Sequence, residues 1–260
     1  MAMNREDVVI VTGAGTGIGR ATALRFAEAG ATVIANGRRQ EPLEALRQEA
    51  AELTGRIVPC AGDVGTEQVA AALIAQAESH GRLDTLVNNA GVGWAYGVEH
   101  PGSMAPLGDT PPDMWREVMR INLDSVYYTC HAALPVLLRH GRGSIVNVSS
   151  GGGLRGMDDA HTYSVTKAGV INLTRSLARA YGPKNIRSNV VAPGFVDTDM
   201  VAPVLDNPDN PFLNDALKYQ ISPLGRPGRP EEIAAAIYFL SQEGTYCNGA
   251  VLVADGGSLA

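Results

Sequence analysis

Short runs of consecutive apolar residues alternate along the chain with longer segments in which apolar residues recur every three or four positions. The runs are typical of strands buried on both faces, and the longer segments are typical of helices that bury one face. Their regular alternation predicts one doubly wound α/β domain, residues 1–260, with a parallel sheet of about seven strands between two layers of helices. The predicted strands are Val8–Val11, Thr32–Asn36, Ile57–Cys60, Thr85–Val87, Ser144–Val148, Ile186–Val191 and Ala250–Ala254.

Six helices are predicted between these strands, and two irregular segments interrupt the alternation. The irregular segments, at about residues 92–112 and 195–229, are rich in glycine or proline, and each follows a predicted strand. Loops this long are usually functional or disordered, and the carboxyl edge of such a sheet binds ligands. We therefore expect both segments to border a substrate. The predicted helices are Ile18–Ala29, Glu41–Leu53, Glu67–His80, Asp113–Arg139, a helix through Tyr163 to Tyr181, and Pro230–Leu240.

Glycines dominate the turn between the first predicted strand and the first predicted helix. Residues Thr12 to Gly19 follow the spacing G-x-x-x-G-x-G rather than the commoner G-x-G-x-x-G. Such a turn lets the backbone bring a pyrophosphate to the N-terminus of the helix. After a strand and before a helix, this turn predicts a bound dinucleotide and a Rossmann-type sheet.

The end of the second predicted strand distinguishes NAD from NADP. An acidic residue there would accept hydrogen bonds from a free ribose 2′-hydroxyl and would repel a 2′-phosphate. The chain has Arg38 and no acid there, and a guanidinium can neutralise a 2′-phosphate. We therefore predict NADP, with NAD as the less favoured alternative if Arg38 is merely solvated. After the third strand, Asp63 and Val64 suit an adenine ring, although Asp63 could equally cap the next helix.

A tyrosine and a lysine four residues apart are candidates for proton transfer. Tyr163 and Lys167 lie on one face of the chain if their segment is helical. A phenol titrates near pH ~10, and a neighbouring cation lowers its pKa. The pair can therefore act as a general acid or base on a carbonyl or an alcohol. Alone, the same spacing is more often found on an ordinary solvated helix face, so the interpretation depends on the other motifs.

Composition and charge exclude several other classes of function. The chain has 21 basic and 27 acidic residues, a net charge of −6, and no Lys/Arg cluster, so we expect no nucleic-acid partner. Its three cysteines are far apart and no His/Cys/Asp cluster is evident, so we expect neither a disulfide framework nor a metal. No signal peptide is evident, and no apolar run approaches the ~20 residues that cross a membrane. We therefore expect a cytoplasmic protein without a membrane partner.

Taken together, these motifs resemble the short-chain dehydrogenase/reductase family, in its form of about 250 residues. The similarity extends over nearly the whole chain, from Thr12 to Gly257, and its specificity lies in the order and spacing of the motifs. The resemblance implies that the cofactor is bound by Gly13, Thr16, Gly17, Ile18, Gly19, Arg38, Asp63, Val64, Asn89, Ala90, Gly91, Tyr163, Lys167, Pro193, Gly194, Val196 and Thr198.

The resemblance also implies four catalytic residues and a homotetramer. Tyr163 gives a proton to the oxygen of a carbonyl that is being reduced, and Ser150, thirteen positions earlier, hydrogen-bonds the same oxygen. Lys167 lowers the pKa of Tyr163 and binds the nicotinamide ribose. Asn122 holds a water that links Lys167 to solvent.

The predicted function is hydride transfer between NADP(H) and the carbonyl or secondary alcohol of a small, largely apolar substrate. Three alternatives stay open: an NAD-dependent secondary-alcohol dehydrogenase of the same fold, a 3-oxoacyl-carrier-protein reductase, and a non-catalytic NADP-binding regulator. Arg155, Asp158 and Asp159 could face either substrate or solvent. The apolar side chains predicted to contact substrate are Trp94, Leu154, Met157, Met200 and Val204.

Overall fold

All seven strands of the protein lie in one parallel sheet. The computed structural model describes residues 6–207, 209 and 218–260. The strand order is β3-β2-β1-β4-β5-β6-β7, so the chain starts near the middle of the sheet and winds outwards in both directions. This confirms the predicted doubly wound fold. The strands are β1 (Val8–Val11), β2 (Thr32–Gly37), β3 (Arg56–Ala61), β4 (Thr85–Asn88), β5 (Gly143–Val148), β6 (Ile186–Pro193) and β7 (Val251–Ala254).

Two apolar cores lie on opposite faces of the sheet, because successive side chains of a strand alternate between faces. Val9 and Val11 belong to the core that also contains Phe26. Val8 and Ile10 belong to the core on the other face. The described helices are α1 (Gly17–Glu28), α2 (Gln40–Glu49), α3 (Glu67–Ser79), α4 (Trp94–Glu99), α5 (Pro112–Met119), α6 (Ser125–His140), α7 (His161–Tyr181), α8 (Ala202–Leu205), α9 (Lys218–Ile221) and α10 (Pro230–Tyr238).

The long helix predicted over Asp113–Arg139 is interrupted. Helices α5 and α6 are separated by a wider π-turn at Arg120–Asp124, which buries Asn122. Apolar periodicity does not reveal such a turn, since it inserts a single residue into an otherwise continuous helix. The second predicted helix also stops early, at Glu49, where a 3₁₀ turn at Ala50–Glu52 follows.

The two irregular segments contain short helices that the sequence did not predict. Residues 92–112 include α4 and a 3₁₀ turn at Leu107–Asp109, and residues 195–229 include α8 and α9. Helices of four to six residues are too short to show periodicity over the usual window of about 11–18 residues. Pro208 and residues 210–217 of the second segment lie outside the described residues.

The carboxyl ends of β1, β4, β5 and β6 open on the same edge of the sheet. Thr12, Asn89, Ser149 and Gly194 each follow one of these strands, so segments far apart in sequence meet there. Of the helices in the described ranges, none is both long enough and apolar enough to cross a membrane.

Candidate active site

Side-chain hydrogen bonds fasten the glycine turn to the end of β4. The backbone N–H groups of Asn89 and Ala90 each donate to Thr12 Oγ1 at 3.0 Å. Asn89 Nδ2 donates to the carbonyl of Thr12 at 3.0 Å. These bonds form because β1 and β4 are neighbours in the sheet. The turn and residues Asn89–Gly91 together form one wall of a cavity, which we call the glycine-loop cavity.

Steric constraints explain the glycines in this wall. Gly13 and Gly17 have positive φ angles of 65° and 52°, which favour glycine. A Cβ atom at Gly13 would lie 2.9 Å from Ala90 Cα, and one at Gly19 would lie 2.1 Å from the Gly13 carbonyl oxygen. Because these glycines have no side chains, the backbone that leads into α1 is accessible from the cavity. The first turn of α1 contains no acidic residue. This wall fits a pyrophosphate, because a helix N-terminus attracts an anion.

Most predicted cofactor residues line the glycine-loop cavity. Gly19 is an exception, because it packs against Gly13 instead. Arg39 and Pro42 also line the cavity, and Arg39 could have been suspected as the neighbour of Arg38. The predicted residues in the lining are Gly13, Thr16, Gly17, Ile18, Arg38, Asp63, Val64, Asn89, Ala90, Gly91 and Thr198.

Arg38 and Asp63 differ in how strongly they are already paired. Arg38 is exposed at the cavity wall and forms no ion pair with any residue in the described ranges. Asp63 accepts from Arg120 Nη1 at 2.9 Å and from the Gly65 N–H at 2.9 Å. Asp63 does not cap α3: the Thr66 side chain does so by accepting from a backbone N–H. Arg38 is therefore the freer charge for a ligand.

A second cavity, of about 210 Å³, surrounds the candidate tyrosine, and we call it the tyrosine cavity. Tyr163 is only 5% exposed, and Ser150 lines the same cavity beside it. Lys167 Nζ lies 5.6 Å from the tyrosine ring centroid and donates to the Val148 carbonyl at 3.1 Å. Ser149 turns away and donates to the Lys167 carbonyl at 2.7 Å. The fold thus brings Ser150, rather than Ser149, to Tyr163 and Lys167.

Burial governs the protonation of this pair. It raises the pKa of Tyr163 above its ordinary value, and the polar side chain of Ser150 opposes this shift. Burial also lowers the pKa of Lys167 to about 8. The net pKa of Tyr163 is therefore raised rather than lowered in the protein alone, because loss of hydration dominates. At neutral pH the phenol keeps its proton and the lysine is mostly cationic, which suits donation of a proton to an oxygen.

Asn122 has a structural role that the sequence did not predict. Its Oδ1 accepts from the Val92 N–H at 2.7 Å, and its Nδ2 donates to the Val92 carbonyl at 3.1 Å. A Cβ atom at Gly91 would lie 3.2 Å from Asn122 Oδ1 and 3.4 Å from Lys167 Nζ. Asn122 therefore fixes the start of the segment at 92–112 next to Lys167, and only glycine leaves room between them.

The tyrosine cavity has mostly apolar walls. The Trp94 ring lies 5.4 Å from that of Tyr163 and 6.0 Å from that of Phe195. Leu154, which is 39% exposed, and Val204 are not in the lining, so this cavity does not bring them to Tyr163. No local pattern points to the other apolar lining residues, which come from distant segments: Phe195, Val201, Ile221 and Leu259.

The two cavities are adjacent. Ile18, Asn89, Thr198 and Met200 line both of them. A dinucleotide whose phosphates lie at the glycine turn could therefore extend to Tyr163. The predicted cofactor residues on the tyrosine side are Tyr163, Lys167, Pro193, Gly194 and Val196.

Comparison with known proteins identifies the family. The family model described as enoyl-(acyl carrier protein) reductase matches residues 13–258. The 3-oxoacyl-[acyl-carrier-protein] reductase FabG of Thermotoga maritima is 38% identical over 252 residues, 96% of each chain. The chain belongs to the short-chain dehydrogenase/reductase family. It is therefore an NAD(P)-dependent oxidoreductase that transfers hydride between a carbonyl and an alcohol, which disfavours the non-catalytic alternative.

Two further relatives act on other substrates by name. The cis-4-hydroxycyclohexanecarboxylate dehydrogenase of Sinomonas cyclohexanicum is 40% identical over 257 residues, 98% of this chain and 97% of the relative. The crystal structure of levodione reductase superimposes with a TM-score of 0.87 at 34% identity and covers 98% of each chain. Relatives that are similar to this protein over nearly its whole chain are thus named for different substrates.

Proposed function

We propose that this enzyme uses NADP(H) to interconvert a small, largely apolar ketone and its secondary alcohol. The observation that carries the proposal is the meeting of buried Tyr163 with Ser150 and Lys167 in the wall of one largely apolar cavity. That cavity adjoins a glycine-lined cavity suited to a dinucleotide. An oxygen placed against the two hydroxyl groups would have a proton donor and a cation close by.

In the reducing direction, NADPH bound in the glycine-loop cavity would supply a hydride to the carbonyl carbon. Tyr163 donates its phenolic proton to the carbonyl oxygen as negative charge develops there. The Ser150 hydroxyl donates a hydrogen bond to the same oxygen and holds it in place. In the oxidising direction, Tyr163 accepts the alcohol proton instead. Reduction thus consumes one hydride and one proton, both of which end on the new alcohol.

Lys167 and Asn122 support this proton transfer in the proposal. The Lys167 ammonium stabilises the phenolate that remains after Tyr163 has donated its proton. The same ammonium would bind the hydroxyls of the nicotinamide ribose. A water held beside Asn122 and Lys167 would return a proton from solvent. Support for this arrangement comes from the meeting of Asn122 and Lys167 at Gly91.

The preference for NADP rests on Arg38. It is exposed at the wall of the glycine-loop cavity, and no acid stands at the end of β2 to accept from a ribose 2′-hydroxyl. Arg39 lines the same wall and adds a second positive charge. The proposal also includes the other cofactor-binding residues that the family resemblance implies, the first of which is Gly13 and the last Thr198.

A compact cyclic ketone or alcohol is the substrate class we propose. The walls of the tyrosine cavity are aromatic and methionine-rich, with Trp94, Phe195 and Met200 around Tyr163. The relative from Sinomonas cyclohexanicum is named for a cyclic hydroxy compound. The second candidate, a 3-oxoacyl-[acyl-carrier-protein] reductase, is favoured by the 38% identity to the Thermotoga maritima enzyme.

A substrate screen with both cofactors tests the proposed function. The panel contains cyclohexanone, levodione, cis-4-hydroxycyclohexanecarboxylate and a 3-oxoacyl-carrier protein, each with the matching form of NADP(H) or NAD(H). We expect turnover of at least one cyclic compound and higher kcat/KM with NADP(H). Turnover of the carrier-protein substrate alone would support the second candidate, and preference for NAD(H) would contradict the role of Arg38.

The assembly and the location are proposals as well. We propose a homotetramer of single-domain chains in the cytoplasm. Exposed apolar side chains on α6, α7 and β7 support association, because such surface is otherwise unfavourable in water. Light scattering after size exclusion would measure the mass, and a monomer would contradict the tetramer. These side chains are Tyr127, Leu138, Val165 and Val253.

A further inference from the structure

One cation in the tyrosine cavity has no role in the chemistry described so far. Arg155 lies in the loop between β5 and α7 and lines this cavity together with Tyr163. It is exposed, and it forms no hydrogen bond or ion pair with any residue that the structure describes. The guanidinium is therefore available to a ligand at low desolvation cost.

The other two charged groups of the cavity are already engaged. Lys167 is buried and donates to the Val148 carbonyl. Asp255 accepts from the N–H groups of Gly257 and Leu259, each at 2.9 Å, one on each carboxylate oxygen. Arg155 is thus the freest charge that a substrate meets in this cavity, and the remaining lining is largely apolar.

We propose that Arg155 binds a carboxylate on the substrate, so that the enzyme acts on small keto acids or hydroxy acids with an apolar body. The inference rests on the proposed function, because it places the carbonyl or alcohol at Tyr163 and the carboxylate at Arg155. The apolar walls at Trp94, Met157 and Met200 would contact the hydrocarbon between the two groups.

A carboxylate suits this position better than a phosphate. The planar guanidinium can donate two parallel hydrogen bonds to a single carboxylate. A phosphate monoester carries nearly two negative charges at neutral pH. Arg155 alone would then have to neutralise nearly two negative charges, while the negative charge of Asp255 in the same cavity would repel the phosphate.

Matched substrates isolate this interaction. The probes are 4-oxocyclohexanecarboxylate and its carboxamide, which have nearly the same shape but differ in charge. We expect the native enzyme to show about a tenfold lower KM for the acid, in keeping with a charge-assisted hydrogen bond. Arg155→Gln should abolish this preference. Arg155→Lys should retain part of it, because lysine keeps the charge but loses the fork.

Arg179→Gln is the matched control for loss of one positive charge. Arg179 is exposed on α7 and lies sixteen positions, or about 24 Å along the helix, from Tyr163. We expect the preference for the acid to be unchanged in this variant. An equal loss in both variants would show a general charge effect and would overturn the proposal.

Binding measurements separate this inference from the proposed function. Calorimetry with cyclohexanecarboxylate and cyclohexanecarboxamide needs no turnover. If the native enzyme binds the carboxylate more tightly than the carboxamide, and Arg155→Gln abolishes this difference, the inference is supported. This holds even if neither ketone is reduced, and in that case only the proposed function fails. Reduction of both ketones with equal KM by the native enzyme would overturn the inference and leave the proposed function standing.

Discussion

The glycine-loop cavity and the tyrosine cavity are adjacent, but different chemical groups form their walls. The wall of the first consists mainly of backbone, including the glycine turn after β1, and of charged residues that follow β2 and β3, such as Arg38 and Asp63. The wall of the second consists largely of side chains from segments that are far apart in the sequence, including Trp94, Tyr163 and Leu259. Backbone walls recognise a phosphate whatever the neighbouring side chains are, because N–H groups are present at every residue except proline. Side-chain walls can change with each substrate.

The contrast predicts that variants of the tyrosine cavity lose chemistry while they keep the cofactor. In Tyr163→Phe, the ring and its packing against Trp94 remain, but the proton donor is lost. We expect kcat to fall by about a thousandfold, the scale of general acid catalysis. Steady-state turnover measures this. Retention of more than about a tenth of native kcat would show that another group donates the proton.

Variants of the glycine-loop cavity should instead lose affinity for the cofactor while they keep the groups that carry out the chemistry. In Gly19→Ala, the new methyl group would overlap the Gly13 carbonyl oxygen, 2.1 Å away, so the turn must open. We expect about a hundredfold weaker NADPH binding, or about 2.8 kcal/mol, measured by nicotinamide fluorescence. Gly108→Ala is the control, because a Cβ atom there meets nothing within 4 Å. Unchanged affinity in Gly19→Ala would contradict the steric account of this wall.

Removal of Arg38 should affect one cofactor only. Arg38→Leu removes the charge proposed to meet the 2′-phosphate, so we expect about tenfold weaker NADPH binding. NADH lacks the phosphate and serves as the internal control, with nearly unchanged affinity. Equal losses for both cofactors would mean that Arg38 supports the adenine or the fold rather than the phosphate.

The pH dependence should report the lysine of the tyrosine cavity. The pKa of Lys167 is lowered to about 8 by burial, so its positive charge is lost at a lower pH than for an ordinary lysine. We expect kcat/KM for reduction to fall as the pH rises through about 8, because the neutral amine no longer stabilises the phenolate. Lys167→Met should be slow at every pH and lack this inflection. An inflection that persists in Lys167→Met would belong to another group.

The same contrast explains which parts were predictable from sequence. Strands and the glycine turn follow from local rules: apolar runs, and spacing that only glycine satisfies at Gly13 and Gly19. Leu259 and Ile221 reach the tyrosine cavity through long-range folding that no local pattern encodes. The π-turn at Arg120–Asp124 was missed for a related reason, since one inserted residue hardly changes helical periodicity.

Protonation was the other part that the sequence could not supply. A spacing of four residues indicates that Tyr163 and Lys167 are neighbours, and from it a lowered phenol pKa was expected. The pKa of Tyr163 is raised instead, because both groups are buried and burial disfavours the charged form of each. Depth of burial depends on the loops around the cavity, including the segment that Asn122 fixes at Val92.

One stopped-flow experiment tests most directly whether binding and chemistry are divided between the two cavities. Tyr163→Phe enzyme loaded with NADPH is mixed with a ketone that the native enzyme reduces, and nicotinamide fluorescence is followed. We expect the fluorescence enhancement of bound NADPH, as in the native enzyme, with a decay slowed by about a thousandfold. Decay at the native rate, or absence of the bound-state enhancement, would contradict it.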